Sequence, residues 1–154
     1  LDPQHPGLPI EDHVFDCAFC DGLLARLPAP RPFVKEIARV LMPEGLFVLT
    51  VPNIQYYQTV VMLAEGRWDC FEGGLIPPGQ LRFFTAYELG KLLRENGFKV
   101  LRCGGLEPDP PEALPRDPDG YCTVGRIRIG PLNETEYKAY RSRRYIIYAT
   151  PSAG

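Results

Sequence analysis

Val14-Phe15-Asp16-Cys17-Ala18-Phe19-Cys20 is a short, nearly continuous apolar run. That is the pattern of a strand buried on both faces of a parallel sheet. Downstream, Pro30-Arg31-Pro32 supplies a helix start, and Phe33, Val34, Ile37, Ala38, Val40 and Leu41 recur at helical spacing until Pro43-Glu44-Gly45 stops the segment. Leu46–Val51 then reads as a second buried strand closed by Pro52-Asn53. Residues 54–65 place Ile54, Tyr57, Val61 and Ala64 on one helical face ending at Gly66. A long Gly- and Pro-bearing loop, 67–84, leads to Thr85-Ala86-Tyr87-Glu88, whose spacing is that of a capping box. The helix it opens ends at Asn96-Gly97, and Phe98–Cys103 reads as a third strand.

Strand and helix in alternation imply right-handed crossovers and a Rossmann-like α/β fold, a mainly parallel sheet with flanking helices. The alternation in Val124–Ile129 and the β-rich Tyr145–Ala149 predict late strands that add an antiparallel edge, with a polar, helical stretch between them. Upstream of the first strand, the opening dozen residues read as an irregular lead-in. Glu107–Gly120, rich in proline and acidic residues, holds too little apolar surface to offset its ordering entropy and is expected to be a mobile loop. At 154 residues and 45% hydrophobic content, a single domain spanning 1–154 is expected. In such sheets ligands bind beyond the carboxyl ends of the strands, where Cys20-Asp21-Gly22 and Val51-Pro52-Asn53 converge.

A net charge of −2 argues against a broad phosphate-binding surface, so nucleic acid is not an expected partner and a small molecule is. No apolar run approaches the ~20 residues a membrane span needs, and Leu1–Pro6 lacks a signal pattern, so no membrane insertion and a cytoplasmic location are expected. Five cysteines, at 17, 20, 70, 103 and 122, fit reduced thiols better than a disulfide framework. Cys17 and Cys20 are three apart in a strand and point to opposite faces, so no metal site is expected of them.

Several phrases together resemble the class I S-adenosylmethionine (SAM)-dependent methyltransferases. Leu8–Asp16 resembles the run leading into the family's fourth strand, Ile37–Gly45 its "RvLkPgG" helix exit, and Leu49-Thr50-Val51-Pro52-Asn53 its fifth strand. Leu81-Arg82-Phe83-Phe84-Thr85, then Glu88-Leu89 and Gly97-Phe98, resembles the "HlRfFT" block of a subset acting on sugars, lipid quinones and natural products. These phrases cover residues 8 to about 103 in the family's order. The glycine-rich loop and the acidic residue that hold the cofactor in that family have no counterpart here, and no Gly-x-Gly-x-Gly occurs. The resemblance is therefore to a carboxyl-terminal part, truncated at its amino-terminal side, with SAM binding weak or absent in isolation.

The resemblance implies site residues. Asp2 corresponds to an Asp that accepts from the adenine amino group, and Cys20, Asp21 and Gly22 to backbone that meets the methionine portion. Gln80, standing where the family motif has His, and Arg82 would orient the acceptor, as would Tyr56. For Arg82, a contact tying its loop to the following helix is the stronger expectation. Trp68 and Phe71 are either acceptor wall or core. Arg126, Arg128, Lys138, Arg141, Arg143 and Arg144 read as a solvated basic face, with a contact for phosphate or an acidic partner as the alternative. The implied activity is methyl transfer from SAM to a small-molecule acceptor such as a sugar or other metabolite hydroxyl. The alternative is a non-catalytic module that associates with a partner, or part of a larger glycan-modifying enzyme. An open sheet edge predicts a homo-oligomer or a covering partner chain.

Overall fold

The computed structural model describes residues 7–152, and Asp2 lies outside them. Four strands form the main sheet in the order β1-β2-β6-β3: β1 Phe15–Asp21, β2 Leu41–Pro52, β3 Phe98–Pro108 and β6 Ser142–Pro151. The β1–β2 pair is parallel, while β6 runs antiparallel to both of its neighbours. β1, β2 and β3 therefore share one direction. The expected antiparallel strand exists, but it is inserted between β2 and β3 instead of lying at the edge. Its inner-facing Tyr145, Ile147 and Ala149 are all buried, a pattern an edge strand does not need.

The helices follow from local chemistry. Helix α1, Pro30–Val40, starts on a proline at N1, where no intrahelical N–H is lost, and buries Val34, Ile37 and Val40. It stops at Leu41 because Met42 precedes Pro43 and is pushed out of the helical region. Helix α2 spans Tyr57–Ala64 and ends before Gly66, whose positive φ of 75° suits glycine. The Thr85 hydroxyl accepts from the Glu88 N–H to open α3, Ala86–Arg94. Helix α4, Glu134–Tyr140, carries a complete capping box, with Asn133 Oδ1 accepting from the Glu136 N–H and Glu136 Oε2 accepting from the Asn133 N–H.

Phe47, Leu49 and Val51 alternate along one face of β2 and join Tyr145, Ile147 and Ala149 of β6 in the main core. Helices α1 and α3 cover that face through Val34, Ile37, Leu89, Leu92 and Leu93, and Arg31 on α1 pairs with Glu95 at the end of α3. On the opposite face Val48, Ile146 and Tyr148 are only half-buried. A second core of Tyr56, Tyr57, Leu114, Cys122 and Tyr137 lies among α2, α4 and residues 122–129.

Three expectations change. Strand β1 is not buried on both faces: only Cys20 is buried, Phe15 is 42% and Phe19 68% exposed, and β2 is its one partner among the described residues. The apolar run marks a strand prepared for cover on a side that no described residue occupies. The alternating stretch Val124–Ile129 is not one continuous strand but part of a hairpin, β4 Cys122–Val124 and β5 Ile127–Ile129, turned at Gly125 with a φ of 58°. The stretch expected to be a mobile loop, 107–120, is packed: Leu114 is fully buried, the Asp109 N–H donates to the Arg141 carbonyl, and the Tyr56 hydroxyl donates to the Asp109 carboxylate.

The lead-in is pinned by Glu36 on α1. Its carboxylate accepts from the Leu8 N–H and from Arg39, and the Arg39 guanidinium holds that carboxyl below the usual carboxylate range. A depressed folded-state value stabilises the fold at neutral pH, and the contribution is lost as pH falls from near 4.5 through the lowered value. Glu36→Gln should therefore cost stability at pH 7 and flatten the acid limb of the unfolding midpoint. Parallel wild-type and variant curves between pH 3 and 5 would contradict that.

Candidate functional site

At the carboxyl ends of β1 and β2 the chain forms a cleft of about 420 Å³, lined by Asp21, Gly22, Leu23, Ala25, Arg26, Pro52, Pro77, Gln80 and Arg144. The antiparallel direction of β6 brings its amino-terminal end, and so Arg144, to this same rim, opposite Pro52. Arg144 Nη2 donates to the Asp21 carboxylate and to the Thr50 hydroxyl, and Thr50 donates to Asp21. Three strand tips are thus joined by one charged network. Glycine at 22 has a φ of 66° and turns the chain from β1 into a 3₁₀ helix at Leu23–Arg26, while its N–H is spent on the Thr50 carbonyl.

Asn53 holds the rim in place. It is 4% exposed; its Nδ2 donates to the Ala139 and Ser142 carbonyls and its Oδ1 accepts from the Gln55 N–H. Nearby, buried Tyr56 bonds Asp109 and lies under the Arg143 guanidinium, and burial first, then the Asp109 contact, pushes its phenol up. A phenol so hidden and so weakly acidic is a brace between α2 and the end of β3, not a group that meets an acceptor.

The structure gathers Asp21, Gly22 and Gln80 of the expected residues. Cys20 is buried behind the cleft, and burial pushes its thiol up, away from a nucleophilic thiolate. Arg82 is elsewhere: its guanidinium donates to the Pro28 carbonyl and borders a separate groove between the starts of α1 and α3. It ties its loop to the segment ahead of α1, not to the helix that follows the loop. Trp68 packs edge-on against Phe83 at 5.0 Å, and Phe71 borders a hollow beside α2. Of the basic residues, Arg126, Arg128, Lys138 and Arg143 are exposed, but four of the six also have partners. Arg144 bonds Asp21, Arg143 bonds Tyr56, Arg141 bonds the Asp109 carbonyl, and Arg128 pairs with Asp117. No cluster able to hold a metal ion occurs among the described residues.

Gln80 is unusual within the cleft. Its Nε2 donates to the Arg82 carbonyl at 3.2 Å, which fixes the amide orientation, yet Oε1 is buried with no donor. A buried acceptor without a partner costs ~1–3 kcal/mol. Gln80→Met, similar in volume, should leave the unfolding midpoint unchanged or raise it. A drop of several degrees would mean that the lost Nε2 bond to the Arg82 carbonyl outweighs relief of Oε1.

The methyltransferase-domain family model matches residues 2–49, which contain β1, α1 and the first part of β2. Among solved structures, a SAM-dependent methyltransferase of Thermotoga maritima superimposes over 94% of the chain, with a TM-score of 0.56 and 21% identity. The chain has the fold of the class I methyltransferases. The resemblance to that family read from the sequence is borne out by these matches. A methyltransferase of Haloferax volcanii, solved in complex with the Trm112 methyltransferase activator, aligns over 96% of the chain at a TM-score of 0.54 and 17% identity. The [4+2]-cyclase SpnF aligns over 97% at 0.53 and 19%. The chain spans 59%, 59% and 54% of these three proteins. Comparison with curated proteins returned no match.

Proposed function

We propose that this chain is the strand-tip and acceptor side of a SAM-dependent methyltransferase acting on a small-molecule acceptor such as a sugar or other metabolite hydroxyl. The observation that carries the reading is the Asp21–Thr50–Arg144 network at the tips of β1, β2 and β6, beside the Gly22 turn. The methionine end of SAM is a zwitterion, and it asks for an anionic acceptor and a cationic donor close together. Asp21, held by Thr50 and Arg144, supplies the anionic side, toward the methionine ammonium. SAM, when bound, supplies an electrophilic methyl group on its sulfonium. The chain's own part is to hold the acceptor oxygen in line and exclude water. Methyl transfer can proceed by such positioning, and the cleft lining holds no histidine to act as a base.

Gln80 is the acceptor-orienting residue in this reading, and Arg82 supports it by clamping the loop to Pro28. SAM binding by the chain alone is weak and its isolated activity absent, since no Gly-x-Gly-x-Gly loop is present to approach the cofactor. A cytoplasmic setting goes with this reading. Among the described residues no helix is long and apolar enough to cross a membrane.

Calorimetric titration with SAM and S-adenosylhomocysteine tests the proposal. Saturable heat, lost in Asp21→Asn, is the expected result; no heat at millimolar ligand would favour a non-catalytic module or a fragment. That second reading, with a partner chain or a second copy covering the edge, draws on one observation, the exposed Phe15, Cys17 and Phe19 along a strand with one edge open among the described residues. Light scattering across concentration should then show self-association, and a clean monomer would count against it.

A further inference from the structure

The strand-tip cleft carries more positive charge than its chain. Two arginines, Arg26 and Arg144, face one carboxylate, Asp21, in its lining, while the whole chain carries a net charge of −2. Arg144 commits only one guanidinium nitrogen, Nη2, to Asp21 and Thr50. Its Nη1 and Nε groups have no acceptor among the described residues, and a guanidinium offers five donors in a planar fork. Arg26, at the end of the 3₁₀ helix, is exposed and has neither hydrogen bond nor ion pair there. Apart from Gly22 and Gln80, the remaining lining is Leu23, Ala25, Pro52 and Pro77, apolar surface suited to a flat or cyclic body.

We infer that the acceptor taken by this cleft carries a carboxylate, received by the unused donors of Arg144 and by Arg26, with its ring or carbon frame against Leu23, Pro52 and Pro77. The inference rests on the methyltransferase reading for the word acceptor, while the anion preference stands on the cleft alone. Asp21 does not cancel the site. It occupies one nitrogen of Arg144 and holds the guanidinium plane still, so that the remaining N–H groups meet the ligand preorganised. A neutral ligand of the same shape would leave those donors bare when water is displaced, which is how a built polar site rejects it.

The test uses 4-hydroxybenzoate as probe and its methyl ester as the uncharged control, each titrated by NMR into the full chain, with Arg26→Gln and Arg144→Lys alongside. A hydrogen bond to a charged group is worth ~1.5–3 kcal/mol, so the acid should bind at least about tenfold more tightly than the ester. Arg26→Gln should weaken the acid by about threefold, because one exposed charge is screened, and Arg144→Lys by more, because the fork is lost while the charge and the fold remain. Acid and ester binding alike, neither saturating, or both variants leaving the acid unchanged would overturn the inference. S-adenosylhomocysteine is titrated separately. Acid-selective binding without any response to S-adenosylhomocysteine would remove the methyltransferase reading and leave the anion site, and the reverse pattern would do the opposite.

Discussion

Gly105→Ala should destabilise the protein by about 3 kcal/mol, the upper end of what overpacking costs. A Cβ built at this glycine would lie 2.1 Å from Ser142 Oγ, 2.7 Å from Ser142 Cβ and 3.1 Å from the Lys138 carbonyl oxygen. A hydroxyl can rotate away, but a Cβ fixed to the backbone cannot. Gly105 pairs with Tyr145 in the β3–β6 ladder, and Ser142 is fully buried, with its hydroxyl donating to the Lys138 carbonyl at 2.8 Å. Relief therefore requires β3 and β6 to part or the end of α4 to move. Because the conflict belongs to one pair, Gly105→Ala combined with Ser142→Gly should recover most of the loss. Denaturant midpoints of the two single variants and the double would show strong non-additivity. Additive losses would place the cost elsewhere.

The second large effect is at Asn53. Asn53→Ala removes three hydrogen bonds and leaves the Ala139 and Ser142 carbonyls without that donor in a nearly water-free place. With a buried orphan costing ~1–3 kcal/mol, the expected loss is about 2–4 kcal/mol. The same bonds set where β6 begins, and so where Arg144 meets Asp21. The variant should consequently lose ligand response in the cleft even at temperatures where it remains folded. Asn53→Asp keeps the acceptor for the Gln55 N–H but faces two carbonyls with a carboxylate, so it should be no better. A stability loss below about 0.5 kcal/mol, the range of an ordinary surface substitution, would show that the Asn53 contacts do not hold the rim.

Element identity was legible wherever the chemistry is local. Pro30 to Pro32 opened α1, Pro43 closed it through Met42, and Thr85 with Glu88 opened α3, because caps and proline restrictions act within four residues. Strand order was not legible. Nothing inside Tyr145–Ala149 says that its neighbours are β2 and β3, since pairing across the chain is decided by which faces need burial. The apolar run in β1 was read correctly as a strand and incorrectly as one covered on both sides, because a sequence records what a surface is suited to and not what lies against it.

The site divides the same way. Asp21, Gly22 and Gln80 line one cleft, as their place after the first strand and in the covering loop leads topology to predict. Arg144 was missed. It stands 123 residues from Asp21 and reads locally as one more cation in a basic stretch. Only the return of β6 through the middle of the sheet turns it toward the cleft. Conversely, Arg82 carried a site expectation from its motif, and its guanidinium is used to tie Pro28. A charged residue in a loop has many places to spend its donors, and residue type alone does not choose among them.

Backbone amide NMR of the chain, titrated with S-adenosylhomocysteine, tests the account most directly, because it reads weak binding and locates it at once. Shifts that saturate and concentrate on Asp21, Gly22, Thr50, Gln80 and Arg144, and that vanish in Asp21→Asn, are the result predicted. Shifts gathered on the groove between α1 and α3, or no response at millimolar ligand, would contradict a cofactor-facing cleft at the tips of β1 and β2.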